Sequence, residues 1–197
     1  MTGEARREQI LDVTHAIVDA EGFHAATPNQ VAQQAGINRS LLYQQFGSPA
    51  GLFVALIDRE AGRAAAHFAN AVTDTENTEA DGFLARVFDG VLRAADGHPA
   101  TWRLFLFPPQ GAPPELHERL ARAQAAVRAF LTRELLRSLP DLADPDYTAR
   151  IVYAVGRELL QLRLSDPDEA SPERLRAVLG SLQLNAARSD PVGRERQ

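Results

Sequence analysis

The chain of 197 residues contains no cysteine and no uninterrupted apolar run long enough to span a bilayer. Without cysteine, a disulfide framework and a thiolate metal site are both excluded. The first residues, Met1 to Glu8, are polar and charged, and they lack the apolar stretch of a secretory signal. Hydrophobic residues make up 45% of the chain, which is typical of a globular rather than a disordered protein. We therefore expect a cytoplasmic protein with no membrane partner.

Sequence patterns of catalysis are lacking as well. The chain has no glycine-rich phosphate loop, no nucleophile elbow and no HExxH segment. Its five histidines show neither the i, i+4 pairing nor the neighbouring carboxylates of a metal site. These absences lead us to expect no catalytic residue, no cofactor and no metal ion.

No segment alternates in polarity like a strand, whereas apolar residues recur at helical spacing along most of the chain. The pattern predicts an all-α protein of about nine helices. Two of the predicted helices are short and share the stretch from Thr27 to Phe46. The others are predicted at Glu4–Glu21, Ser48–Phe68, Gly82–Ala95, Ala100–Phe107, Glu115–Leu139, Asp146–Leu164 and Ser171–Ala187. Polar or proline-rich segments predict loops at Thr73–Asp81, Pro108–Pro114 and Pro140–Pro145, and a flexible tail at 189–197.

The stretch from Thr27 to Phe46 predicts two short helices joined by a tight turn. Thr27 and Asn38 are helix-capping residues, and Pro28 occupies the first helical position, where it costs no hydrogen bond. Gly36 permits the positive φ angle that a sharp turn between helices requires. The second helix would bury Leu42 and present polar side chains outward. This arrangement is typical of a helix-turn-helix that enters a DNA major groove.

Small, apolar and aromatic residues recur in a characteristic order over the first quarter of the chain. They are Arg7, Ile10-Leu11, Ala20-Glu21-Gly22-Phe23, Ala26-Thr27, Val31-Ala32, Ala35-Gly36-Ile37, Leu42-Tyr43, Phe46-Gly47-Ser48 and Leu52-Phe53. This order resembles the TetR family of transcriptional regulators. Two positions depart from it, because the family usually has Lys-Glu where this chain has Pro49-Ala50, and often Gly-Thr where it has Ser40-Leu41. The resemblance implies a DNA-binding domain at 1–53 and a helical ligand-binding and dimerisation domain at 54–188.

Seven side chains of the helix-turn-helix are candidates for DNA contact. Base edges would be read by Arg39, Ser40 and Gln44, with arginine suited to guanine and glutamine to adenine. Phosphates would be contacted by Thr27, Asn38, Tyr43 and Gln45. Tyr43 has an alternative role as a packing residue with an exposed hydroxyl, and the whole hairpin has an alternative as part of an ordinary helical core.

Charge argues against a simple electrostatic attraction to DNA. The formal net charge is −5, and all 21 basic residues are arginine. DNA-binding modules are usually basic, yet residues 1–53 contain three arginines and five acidic residues. The acidic residues all precede position 22, so the segment Thr27–Ser48 carries only the positive charge of Arg39. Helix N-termini add partial positive charge there.

The resemblance also implies an effector cavity and a dimer interface in the second domain. Predicted cavity residues are Phe68, Val87, Trp102, Phe105, Leu120, Gln124 and Val127, which would suit a small apolar or aromatic effector. For most of the aromatic residues, an ordinary core position is the alternative. Predicted interface residues are Val155, Leu159, Leu162, Leu175, Val178, Leu179 and Leu182, and these stripes also fit an intramolecular core.

The sequence therefore predicts a regulator that binds a palindromic operator as a homodimer, represses transcription and is released by an effector. One alternative is a helical protein that binds small molecules and has lost DNA binding, which the missing lysine at Pro49 and the acidic first domain favour. A second alternative is an enzyme that uses the helical cavity, for which the chain offers no catalytic constellation.

Overall fold

The computed structural model describes residues 2–73 and 82–188, with side chains as far as residue 181. Within these residues the fold is all-helical, as predicted. The helices are α1 (Gly3–Glu21), α2 (Pro28–Gln34), α3 (Arg39–Phe46), α4 (Pro49–Thr73), α5 (Phe83–Gly97), α6 (Pro99–Leu106), α7 (Pro114–Ser138), α8 (Pro145–Ser165) and α9 (Pro172–Arg188).

Proline marks the first residue of six of these nine described helices. A proline at this position loses no hydrogen bond, and its fixed φ angle suits a helix. This rule correctly predicted the start of a helix at Pro28. The sequence-based prediction did not extend it to every proline. It wrongly assigned Pro114 and Pro145 to loops, and both residues begin helices instead. Helix α4 also continues five residues past its predicted end at Phe68. The predicted loop after Thr73 and the predicted tail at 189–197 fall outside the described residues.

Two apolar cores organise the molecule. The amino-terminal core includes Ile10 from α1, Val31 from α2 and Leu42 from α3, all of them fully buried. The carboxy-terminal core is built by α5, α7, α8 and α9, with contributions from α4 and α6. The amino-terminal core extends past the domain boundary predicted at residue 53, because it also contains Leu56 of α4 and Leu104 of α6.

Helix α4 belongs to both cores. Its first half buries Leu52, Leu56 and Ile57 in the amino-terminal core, and near its end Ala71 packs in the carboxy-terminal core. At Gly90 of α5, an added Cβ would lie 2.6 Å from the Cβ of Ala71. The two helices therefore approach as closely as a glycine allows. This close contact fixes the end of α4 against the carboxy-terminal helices.

Candidate nucleic-acid interface

Local hydrogen bonds define the beginning of α2 and of α3. The Thr27 hydroxyl accepts a hydrogen bond from the backbone N–H of Gln30 at 3.3 Å. The Asn38 carboxamide oxygen accepts one from the N–H of Leu41 at 2.8 Å. Gly36 adopts a φ angle of +63° in the turn between the helices, a conformation that side chains disfavour. The capping and turn predictions are confirmed, and they fix α3 at a set angle to α2.

Helix α3 has one buried and one exposed face. Leu42 is 0% exposed and anchors α3 in the amino-terminal core, whereas Arg39, Ser40 and Gln44 are exposed. An exposed polar face on a helix held by a buried leucine can enter a groove without losing packing. The predicted base-reading residues therefore lie together on the surface. Among the predicted phosphate contacts, Thr27 and Asn38 are exposed, and Tyr43 and Gln45 are half-buried.

Arg39 and Tyr43 interact with each other on this surface. The Arg39 Nη2 atom donates a hydrogen bond to the Tyr43 hydroxyl oxygen at 3.1 Å. The guanidinium carbon also lies 5.8 Å from the centre of the Tyr43 ring. A guanidinium restrained by an aromatic neighbour loses less side-chain freedom when it binds a base or phosphate. The two side chains should thus act as a coupled pair.

Arg7 has a structural role in the amino-terminal domain. Its Nη1 atom donates a hydrogen bond to the backbone carbonyl of Gln45 at 2.9 Å. Its guanidinium carbon lies 4.4 Å from the centre of the Phe46 ring. These two contacts fasten the end of α3 to α1. Arg7 therefore contributes to the position of α3 and not to the exposed face of that helix.

The outer face of α2 adds amide side chains that the sequence analysis did not assign to DNA. Asn29, Gln33 and Gln34 are exposed, and with Thr27 and Gln30 they line a shallow groove of about 550 Å³. Amide groups donate and accept hydrogen bonds but carry no charge. The many amide side chains of the Thr27–Phe46 segment were the signal that could have identified these residues of α2, but the prediction applied it only to α3.

The start of α4 accommodates the departure from the family pattern. The Ser48 hydroxyl accepts a hydrogen bond from the N–H of Gly51 at 3.0 Å, and Pro49 follows as the first helical residue. Gly47 takes a φ angle of +74° between α3 and α4. The helix start is therefore intact, and the substitution at Pro49 removes only a cation near the exposed face.

A buried carboxylate joins the DNA-binding helices to the rest of the chain. Glu60 of α4 is 0% exposed. Its carboxylate accepts hydrogen bonds from Arg59 at 2.9 Å, from Arg63 at 3.0 Å and from the Thr101 hydroxyl of α6 at 2.5 Å. The Nδ1 atom of His15 in α1 lies 3.6 Å from the same carboxylate. Helices α1, α4 and α6 thus meet at one buried charge.

A second ion pair links α1 to α6. Arg103 binds both carboxylate oxygens of Asp19, with its Nε atom 2.8 Å from Oδ1. The hydrogen bond from Arg103 lowers the pKa of Asp19, and desolvation only partly opposes it. The pair stabilises the fold above the ordinary aspartate pKa, and this contribution disappears as the pH falls through the lowered pKa.

The predicted cavity residues are divided between the two cores. Phe68, Trp102 and Val127 pack against the carboxy-terminal core, which contains Val87. Phe105 instead packs against the amino-terminal core. Leu120 and Gln124 are half-buried on α7.

The predicted interface residues also separate into two groups. Leu159 and Leu175 are 7% and 3% exposed and belong to the core of the chain itself, which is the intramolecular alternative for these stripes. Val155 and Leu179 are half-buried against the same core. Leu162 and Val178 are exposed, and so are Ile151 of the same apolar stripe and Tyr147, which lie outside the predicted interface set. The side chain of Leu182 lies outside the described part of the chain.

None of the described helices is long and apolar enough to cross a membrane. The sequence of residues 10–56 matches a family model described as bacterial regulatory proteins of the tetR family. Over 56 residues the chain is 34% identical to the "HTH-type transcriptional activator FasR" of Mycolicibacterium smegmatis. This match covers 28% of the chain and 26% of that relative.

Solved structures resemble the fold over nearly the whole chain. A TetR-like transcriptional regulator from Rhodococcus sp. RHA1 matches with a TM-score of 0.72 and 22% identity, covering 94% of this chain and 97% of that one. The fatty acid degradation regulator FadR from Bacillus halodurans matches with a TM-score of 0.66 and 14% identity, covering 87% and 96%. Both likenesses concern the fold.

Proposed function

We propose that this chain is a transcriptional regulator of the TetR family and that it binds operator DNA through α2 and α3 as a homodimer. The observation that carries the proposal is the exposed face of Arg39, Ser40 and Gln44 on a helix anchored by the fully buried Leu42. Arginine reads guanine and glutamine reads adenine through paired hydrogen bonds. The other predicted contacts, at Thr27, Asn38, Tyr43 and Gln45, would position the helix on the backbone.

The chain itself can be used to find its operator. Genomic fragments that bind the purified protein are selected, sequenced and tested by gel shift at low salt. We expect a shared motif with two-fold symmetry among the retained fragments. If no fragment shifts, the chain would instead be a helical protein that binds small molecules without DNA, the alternative that the lost cation at Pro49 favours.

The dependence of DNA affinity on salt should be shallow. Even if Arg6, Arg7 and Arg39 of both subunits contacted phosphate, six contacts give a log–log slope no steeper than about −5. Because Arg7 is bound to Gln45 and Phe46 within the domain, at most four contacts remain, and we expect a slope between about −2 and −4. Gel shifts over a salt series measure it. A slope near −10 would reveal cationic contacts elsewhere on the chain.

Regulation by repression is the simplest outcome of such binding, because a bound dimer covers DNA that polymerase would occupy. The curated relative FasR is described as an activator, and activation requires an additional favourable contact with polymerase. A reporter fused to the selected promoter distinguishes the two modes. Deletion of the regulator should raise expression if the chain represses.

Dimerisation is proposed through α8 and α9. Tyr147, Ile151 and Leu162 of α8 and Val178 of α9 are exposed apolar side chains, and exposed apolar clusters mark interaction surfaces. Two copies of one helix-turn-helix provide the area and symmetry that specific DNA binding requires.

A charge placed on this surface should separate the two subunits. We expect Ile151→Glu to convert the protein to a monomer, since Ile151 is 53% exposed and the glutamate would be desolvated at the interface. Light scattering after size exclusion measures the mass. Ala66→Glu on α4, also at an exposed position, is the control and should leave a dimer. A dimeric Ile151→Glu would place the interface elsewhere.

The effector is proposed to bind among α4, α6 and α7. Phe68, Trp102 and Val127 supply apolar surface there, packed against the core that contains Val87. The other predicted cavity residues lie on the same helices, Phe105 on α6 and Leu120 and Gln124 on α7. The indole Nε1 of Trp102 and the Nδ1 of His67 are buried without a hydrogen-bond partner among the described residues. The indole N–H can only donate, so it favours a ligand with a hydrogen-bond acceptor. We thus propose an apolar or aromatic effector that carries an oxygen acceptor.

A further inference from the structure

A surface groove of about 650 Å³ lies where the amino-terminal domain meets α6 and α8. We call it the junction groove, and Asp19, Glu21, Arg103, Phe107 and Ser165 are among its lining residues. It contains none of the residues predicted for the effector cavity. Its volume is in the range of sites that bind small molecules.

Three helices end at the junction groove. Helix α1 ends at Glu21, α6 at Leu106 and α8 at Ser165, and residues at or next to each end line the groove. A helix C-terminus carries about half a negative charge from its last carbonyl groups. Arg103 and Arg163 lie in the last turns of α6 and α8 and offset the charge of those two ends, whereas the last turn of α1 has no basic residue. The end of α1 therefore favours a cation in the groove.

The charged side chains reinforce this potential. Asp19 and Arg103 neutralise each other in their bidentate pair. The formal negative charge of the exposed Glu21 therefore remains. The charge offered to a ligand is consequently negative.

Apolar surface lies beside these negative groups. Val18 and Leu104 are buried at the base of the groove, and Leu164 is half-buried. Phe107, which also lines the groove, is 37% exposed. An exposed aromatic ring can bind a cation through its face or hold a hydrocarbon body.

We propose that the junction groove binds a small organic cation, with its charged group near Glu21 and its hydrocarbon body against Phe107 and Leu164. This site is separate from the effector site proposed above. Its ligand would contact α1 of the DNA-binding domain together with α6 and α8. A ligand that binds two domains responds to their relative position, and any effect on DNA affinity is matched by an equal effect of DNA on the ligand.

The test compares three probes of one shape and different charge. Calorimetric titrations of the full chain at pH 8, without DNA, use 4-phenylbutylamine, 4-phenylbutan-1-ol and 4-phenylbutyrate. We expect the amine to bind at least about fivefold more tightly than the alcohol, and the anion to bind most weakly. Because DNA is absent, failure of the proposed regulator function would not affect this result.

Variants locate the bound cation. Glu21→Gln should weaken amine binding about threefold or more and leave the alcohol unchanged. Glu4→Gln, at the other end of α1, is the matched control and should change neither. Phe107→Ala should weaken both probes. Equal binding of amine and alcohol, equal effects of Glu21→Gln and Glu4→Gln, or no binding of the amine at millimolar concentration would each overturn the proposal.

Discussion

Replacement of Glu60 by alanine is expected to lower the free energy of unfolding by about 3–5 kcal/mol. The Glu60 carboxylate is fully buried and accepts hydrogen bonds from Arg59, Arg63 and Thr101. Its removal leaves the buried Thr101 hydroxyl without its acceptor and takes one of three carboxylate partners from Arg59, which also binds Glu8 and Asp12. A buried donor that loses its acceptor costs about 1–3 kcal/mol, more than a lost surface contact. The truncation also leaves a cavity where three helices meet.

Urea unfolding followed by circular dichroism measures this loss, at one fixed protein concentration because dimerisation would contribute to stability. Asp58→Ala is the matched control on the same helix. Asp58 pairs with Arg119 at 2.6 Å, but its side chain is 48% exposed. Such a pair contributes about 1 kcal/mol or less. Similar small losses for both variants would show that the buried network is not a principal source of stability.

Replacement of Arg39 by alanine is expected to give the largest change in DNA recognition. A bidentate contact between arginine and guanine contributes about 1–3 kcal/mol of discrimination, and a symmetric dimer makes it twice. We therefore expect the preference at one position of each half-site to be lost. Competition gel shifts with selected fragments and their single-base variants measure the change.

Tyr43→Phe provides the comparison for Arg39→Ala. The phenol would contact phosphate, and its hydroxyl also accepts the hydrogen bond of Arg39. We expect this variant to weaken binding to all sequences about equally, because phosphate contacts carry no sequence information and the ring beside Arg39 is retained. If Arg39→Ala reduced affinity equally for selected and altered sites, Arg39 would not be a base-reading residue.

Local features of this fold were predictable from the sequence. Thr27 and Asn38 cap their helices as expected because a hydroxyl or amide can satisfy a neighbouring N–H without help from distant residues. The outward position of Ser40 and Gln44 followed from the burial of Leu42 on the same short helix. The candidate DNA-binding face depends on such local rules, and its residues could therefore be named in advance.

Features that depend on contacts between distant segments were not predictable. Glu60 is a charged residue in an amphipathic helix, where exposure is the usual expectation, yet it is bound by a threonine 41 residues away. Likewise, Leu159 and Leu162 lie in one apolar stripe, but only the second is exposed. Helical spacing identifies an apolar face, and it does not reveal which part of that face a second helix of the same chain will cover.

The close contact between Ala71 and Gly90 holds the end of α4 in place, so that the helix can rotate about this contact as a rigid body. The helix is continuous from Pro49 to Thr73, so about 28 Å of rigid arm separates Ala71 from Leu52 in the amino-terminal core. A rotation of about 5° at the pivot would move the far end by about 2.5 Å. Displacements too small to disturb the packing around Ala71 would thus become large enough to alter the spacing of the two α3 helices in the proposed dimer.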